Sequence, residues 1–169
     1  SINYFDSIIS LEQTKGYGRL GRVWESELGG LYYSMILPYN KILPIIVGVS
    51  VSDILVRYNL DVRLKWPNDI IVNDKKLGGI LCQSQGKNTI VGLGINFSNE
   101  SYISQAINLS ELGCELDKLN FIDTLSNKIE VFMKCKDQDI IDKFLIYDCL
   151  IGKHVSWFEG KGKVETVSK

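Results

Sequence analysis

The chain has 169 residues, 45% hydrophobic and 23% charged, a composition that supports one packed domain and excludes a disordered segment. Its net charge of −1 lacks the basic excess of a duplex-DNA binder. Cys82, Cys114, Cys135 and Cys149 lie far apart beside a single histidine, His154, so a zinc site is not expected and the thiols read as reduced and packed. The most apolar run, residues 42–51, contains Pro44 and is too short to span a bilayer. With no signal peptide opening the sequence, a cytoplasmic location is expected.

In chain order, a strand is expected over residues 8–13, followed by a loop rich in glycine and arginine over 16–22. Residues 31–37 read as a second strand, with Tyr32 and Tyr33 in the core. A helix is expected over 43–59, its apolar side carrying Ile46, Val49, Ile54 and Val56. Strands follow over 62–66 and 70–72, around a Pro-Asn-Asp turn. A hairpin turn at 73–76 leads to a strand over 77–83, and a turn at 85–88 to a strand over 89–97. Residues 119–134 form a helical face of Phe121, Leu125, Ile129 and Phe132. A further helix over 140–150 turns Ile141, Phe144, Leu145 and Cys149 inward. After Gly152 the pattern returns to β, with Val155, Trp157 and Val164 around a turn at 159–162. Trp157 is expected to pack this C-terminal fragment, and His154 to be an exposed strand residue.

Three motifs carry chemistry. The first is Gln13-Thr-Lys-Gly-Tyr-Gly-Arg-Leu-Gly-Arg-Val-Trp24. Its glycines let backbone amides approach a ligand closely, and Arg19 and Arg22 can neutralise a phosphate. It lacks the Gly-Lys-Ser/Thr ending of a P-loop; alone, it reads first as a flexible, solvated basic turn. The second is Lys65-Trp-Pro-Asn-Asp69 with Lys75-Lys76-Leu-Gly-Gly-Ile-Leu81. Lys65 and Lys76 stand at adjacent strand ends, Asp69 can orient a lysine or hold Mg²⁺ through water, and Gly78-Gly79 clears room for a close approach. The third, Gly92-Leu-Gly-Ile-Asn96, marks close packing or a bulge, with an asparagine able to read an adenine edge. One histidine is too few for a Ser-His-Asp or Cys-His arrangement, so no protein nucleophile is expected.

In this order and spacing, the motifs resemble the catalytic domain of the biotin–protein ligases. That family carries Gly-Arg-Gly-Arg-x-Gly-Arg-x-Trp, Lys-Trp-Pro-Asn-Asp, Lys-x-x-Gly-Ile and Gly-x-Gly-x-Asn, matched here at 16–24, 65–69, 76–80 and 92–96. The likeness is close over about residues 8–97 and general over 110–169. It implies an α/β (α+β) fold: a central mixed or antiparallel sheet packed by helices over 1–150, then an incomplete SH3-like β domain over 151–169.

The activity implied is ATP-dependent formation of biotinyl-5′-AMP. Biotin then passes to a lysine of the biotin carboxyl carrier domain of an acyl-CoA carboxylase. By position, Gln13, Gly16, Tyr17, Gly18 and Arg19 meet the biotin head, and Trp24 covers the ligand. Arg19 and Arg22 close over the phosphate, Lys76 meets the carboxylate and then the anhydride, Gly79 lines the substrate site, and Lys65 and Asp69 serve phosphate and Mg²⁺. Asn96 takes the adenine.

Tyr17 stands where the family usually has arginine, and the family's Ser-Thr-Asn segment is missing between Ser7 and Ile8, Ser7 being either the first residue of that motif or its upstream neighbour. No tightly bound prosthetic group, DNA or membrane partner is implied, nothing upstream builds a helix-turn-helix, and a homodimer is compatible. The alternatives are a lipoate–protein ligase-like acyl ligase and a non-catalytic adenylate- or biotin-binding module. The loop 16–22, entropically costly to order, is expected to be mobile until a phosphate satisfies its arginines.

Overall fold

The computed structural model describes residues 3–100, 103–157 and 160–166. Among these, β1 (Ser7–Ser10), β2 (Leu31–Pro38), β3 (Val62–Lys65), β4 (Asp69–Val72), β5 (Lys75–Gln85) and β6 (Asn88–Ile95) form one sheet in the order β1-β2-β6-β5-β4-β3. Every neighbouring pair is antiparallel, which resolves the expected mixed or antiparallel sheet to the latter. From β3 to β6 the chain is a meander of tight turns. Asn73 and Asp74 close the β4–β5 turn with φ of 51° and 59°, the doubly left-handed geometry that short polar residues tolerate and that matches strand twist.

Three helices, α1 (Leu43–Leu55), α2 (Lys118–Phe132) and α3 (Asp137–Tyr147), cover one face of this sheet. Val91, Leu93 and Ile95 of β6 and Val62 and Leu64 of β3 point into that layer, following the two-residue period of a strand with one buried face. Helix α1 is buried on nearly every side, only Pro44 and Asp53 being half-buried, because it lies between the sheet and the other two helices. Asp117 caps α2 by accepting the Asn120 N–H at 2.8 Å, and Phe121, Leu125, Ile129 and Phe132 are buried as expected. Tyr32, Tyr33, Ile141 and Phe144 are buried too.

Several expectations are corrected. Helix α1 stops at Leu55 and tightens into one 3-10 turn, Val56–Tyr58, which Asn59 ends in the left-handed conformation. Val56 is therefore solvent-exposed, outside the apolar face. Leu145 is exposed because Ile140, Ile141 and Phe144 fill the inward side of α3. Cys135 is exposed and not packed, although all four thiols are unpaired. Strand β1 ends at Ser10, since residues 11–16 leave the sheet edge.

The hairpin of β7 (His154–Trp157) and β8 (Gly160–Lys163) follows α3. His154 is exposed on β7 as expected; the Trp157 side chain and Glu159 lie outside the described residues, and residues 160–162 of the expected turn belong instead to strand β8, paired with β7. No helix among the described residues is long and apolar enough to cross a membrane.

Candidate active site

The sheet face opposite the helices is built from the alternate residues of the same strands. Asp69 and Gly79 are paired across β4 and β5, and Gly79 and Gly94 across β5 and β6. In a regular strand Lys76, three residues from Gly79, would face the other way. A bulge corrects this: Ile70 pairs with Gly78 but Ile71 with Lys76, leaving Leu77 unpaired in the ladder. The extra residue turns Lys76 onto the open face, where its Nζ lies 2.7 Å from Asp69 Oδ1 and 5.2 Å from the Trp24 ring centroid. Leu77 itself is fully buried. Lys65 faces Asp69 across the strands and lines a groove with Trp66, Asp148, Leu150 and Val155 beside the C-terminal hairpin.

Residues 16–24 lie over this face as a narrow hairpin. The Gly18 N–H donates to the Arg22 carbonyl at 2.7 Å and the Trp24 N–H to that of Gly16 at 3.0 Å, with Leu20 and Gly21 in the left-handed region at the tip. The expected mobile loop therefore has an ordered form, held by three attachments. The Tyr17 hydroxyl donates to Gln83 Oε1 at 2.9 Å, and Arg19 Nη1 approaches Asn68 Oδ1 at 3.4 Å. The Trp24 indole lies on the two facing glycines, where a Cβ on Gly94 would come within 2.6 Å of the ring and one on Gly79 within 3.1 Å. What approaches β5 and β6 so closely is thus the chain's own tryptophan.

At the hairpin's base, Ser26 Oγ donates to Gln13 Oε1 at 2.8 Å, and a Cβ at Gly16 would collide with that hydroxyl and the Trp24 carbonyl. Farther along, the Tyr32 hydroxyl donates to the Glu27 carbonyl at 2.7 Å, and Lys118 Nζ to those of Gly29 and Gly30. Burial, reinforced by the Glu27 charge, pushes the Tyr32 phenol up to about 12. Burial likewise lowers the Lys118 ammonium.

Arg19 and Arg22 are exposed, and among the described residues neither has a carboxylate partner. Two guanidinium groups and an ammonium over an apolar floor suit a ligand that is part ring and part anion.

The model of the biotin/lipoate A/B protein ligases matches residues 6–98. The chain belongs to this family. It is 33% identical over 158 residues to the bifunctional ligase/repressor BirA of Escherichia coli, spanning 83% of this chain and 49% of that protein. It is 41% identical over 103 residues to biotin–protein ligase 1, chloroplastic, of Arabidopsis thaliana, spanning 52% of this chain and 28% of that one. The chain thus spans about half the length, or less, of these curated relatives. Among solved structures, the biotin protein ligase of Aquifex aeolicus in complex with biotin and ATP superposes with a TM-score of 0.88 at 31% identity, covering 99% of this chain and 80% of that one.

Within this family fold, Gln13, Gly16, Tyr17, Gly18, Arg19, Arg22 and Trp24 share the hairpin and its base, and Lys76, Asp69 and Gly79 the floor beneath it. Asn96 follows strand β6, two residues beyond Gly94. It is buried, with Nδ2 donating to the Ile107 carbonyl at 3.1 Å and Oδ1 accepting from Asn99 at 3.2 Å. Asp69 does not fit a resident metal: its Oδ1 holds Lys76, and among the described residues no three His, Cys, Asp or Glu side chains gather as a cage. Sequence reasoning missed Gln83, Ser26 and Lys118, which no motif marks. Asn68 lay inside a motif but read only as a turn residue; it also fastens the 66–68 turn to β5, exchanging hydrogen bonds with Ile80.

Proposed function

We propose that the chain carries the catalytic centre of a biotin–protein ligase. The biotin carboxylate attacks the α-phosphorus of ATP, pyrophosphate leaves, and biotinyl-5′-AMP forms. A lysine of a biotin carboxyl carrier domain then attacks the mixed anhydride and AMP departs. The observation that carries this reading is Lys76, turned by a bulge onto the open face beneath an arginine-bearing hairpin.

In this scheme Lys76 neutralises the carboxylate and then the anhydride, oriented by Asp69. Lys65, Arg19 and Arg22 offset charge on the phosphates. Gln13 and the backbone of residues 16–18 hold the ureido head, and Trp24 shields the reacting atoms from water. Magnesium would enter as the counter-ion of ATP, bound mostly by phosphate and water oxygens. We further propose cytoplasmic action, which four unpaired thiols support, and residues 151–169 as the opening of an SH3-like β domain, which the β7–β8 pairing supports.

The test is mass spectrometry of a carrier domain incubated with the protein, ATP, magnesium and either biotin or lipoate. Gain of one biotinyl group on one lysine is expected. Labelling by lipoate alone would move the chain to the other branch of its family.

A further inference from the structure

Two glycines of strand β6 face the open side of the sheet in different surroundings. Gly94 lies under the Trp24 indole, where a Cβ would come within 2.6 Å of the ring. A Cβ at Gly92 would meet, among the described residues, only the carbonyl oxygen and Cβ of Leu81, at 3.8 and 3.9 Å. The space above Gly92 thus stays open. Leu81, paired with Gly92, lies between Ile80 and Cys82, both packed on the core, and so faces the same open side. Leu81 and Gly92 together floor a slot.

The slot is bounded at two places along β5. At one stands Trp24 on Gly79 and Gly94, with Lys76 Nζ 5.2 Å from its ring centroid. At the other is Gln83, whose Oε1 accepts from the Tyr17 hydroxyl at 2.9 Å. That hydrogen bond runs from hairpin to sheet and bars the slot. Gly79 and Gln83 are four residues apart, about 13 Å along a strand. Beyond the bar the floor continues as apolar surface. Ile90, the partner of Gln83 in the ladder, is 51% exposed, and Ile36 pairs with it on the far side. A ligand anchored by its anion at Lys76 therefore has more apolar floor ahead of it than the bar lets it reach.

We propose that Tyr17 and Gln83 form a stop that sets the length of acid the site accepts, measured from Lys76. A carboxylate, a short methylene chain and a fused ring end at the bar; a longer acid meets it. The inference rests on the proposed role of Lys76 at the biotin carboxylate and adds the residues that select among acids there. Tyr17 stands where the family usually has arginine, so this stop is built from neutral groups, a phenol and an amide. Both side chains are exposed, and exchanging them leaves the core intact.

The experiment measures kcat/KM for pyrophosphate release by the full chain with ATP and three acids: biotin, homobiotin with one more side-chain methylene, and norbiotin with one fewer. The parent chain should prefer biotin to homobiotin by about 10-fold or more, the discrimination that one methylene gives in a fitted pocket. In Gln83→Ala that preference should shrink by about 10-fold, because the ring can advance toward Ile90, while the preference over norbiotin stays in place. Gln83→Glu keeps an oxygen for the Tyr17 hydroxyl and should retain the selection against homobiotin. Tyr17→Phe, which keeps the ring and loses the bond, should relax it in part. Without any substrate, amide exchange at Gly18 should quicken several-fold in that variant.

An equal loss toward all three acids in Gln83→Ala would make the bond a fastening of the hairpin only and overturn the inference. An undiminished preference over homobiotin in Gln83→Ala would do the same. Should the parent chain release no pyrophosphate, the proposed activity falls, and the same ratios taken from calorimetric affinities decide the stop. Equal or absent affinities for biotin and homobiotin would then remove it.

Discussion

Strand β6 shows both characters of the molecule within eight residues. Val91, Leu93 and Ile95 vanish into the helix-covered core, while Gly94, on the other side, leaves with Gly79 of β5 a floor on which Trp24 rests. The helix side is apolar in kind, and its side chains can be exchanged for others of like volume. The open side is specific in position: two facing glycines, one bulged lysine and one carboxylate. Stability and chemistry are thereby assigned to opposite faces of the same strands.

If that division holds, truncating the core should cost stability and leave the chemistry of the folded fraction alone. Leu125→Ala, in a fully buried position of α2, should destabilise by about 2–5 kcal/mol, read from the midpoint of urea unfolding. Lys76→Ala should do the reverse. Its loss should raise the barrier to adenylate formation by about 2–4 kcal/mol, with the unfolding midpoint nearly unmoved because the side chain is partly exposed. A large fall in stability for Lys76→Ala, or an intrinsic rate defect in folded Leu125→Ala, would break the comparison.

Gly94→Ala sharpens it, since a methyl group there displaces the indole without entering the core. We expect about 1–3 kcal/mol of strain and a red shift of tryptophan emission as Trp24 moves toward water; unaltered emission would contradict the packing.

The smallest effect is expected from a polar clasp inside the helix layer. Asp53 on α1 accepts from Lys128 at 2.9 Å and from the Tyr147 hydroxyl at 2.7 Å. Burial pushes the Asp53 carboxyl up, but these two hydrogen bonds and the charges of Lys128 and Lys143 outweigh it, so its pKa is lowered. A depressed folded pKa gives stability that is present above the unfolded value, near 3.9, and lost as pH falls through the folded one. Asp53→Asn should therefore flatten that acid limb by on the order of 1 kcal/mol, measured as thermal midpoint against pH. An unchanged acid limb would remove the clasp from the account.

The helix-covered face was legible in the sequence because burial imposes a period. Aromatic and long apolar residues located β2, the turn at 85–88 located the start of β6, and the three-to-four spacing of Phe121, Leu125, Ile129 and Phe132 located α2. The open face was legible only as motifs. Lys76, Asp69 and Gly79 were correctly grouped, but the bulge that unites them cannot be read from an apparently unbroken strand. The hairpin's partners were out of reach for a different reason: Tyr17 and Gln83 are 66 residues apart, and Arg19 and Asn68 are 49 apart, so no local pattern links them. For Asn96 the motif was found, whereas the state of its hydrogen-bonding groups depends on residues 99 and 107, which only the folded chain brings near.

The unpaired Leu77 makes strand β5 unequal in its response to changes of length. Removing that residue would restore a regular ladder, and Lys76, still opposite Ile71, would keep facing the open side while the core lost one side chain. Adding a residue beside it would have to widen the bulge or turn the ammonium into the hydrophobic layer, where an unpaired charge is not tolerated. The segment is therefore a one-way gate for lineage and engineering alike: shortening it weakens the protein, and lengthening it takes away its charge.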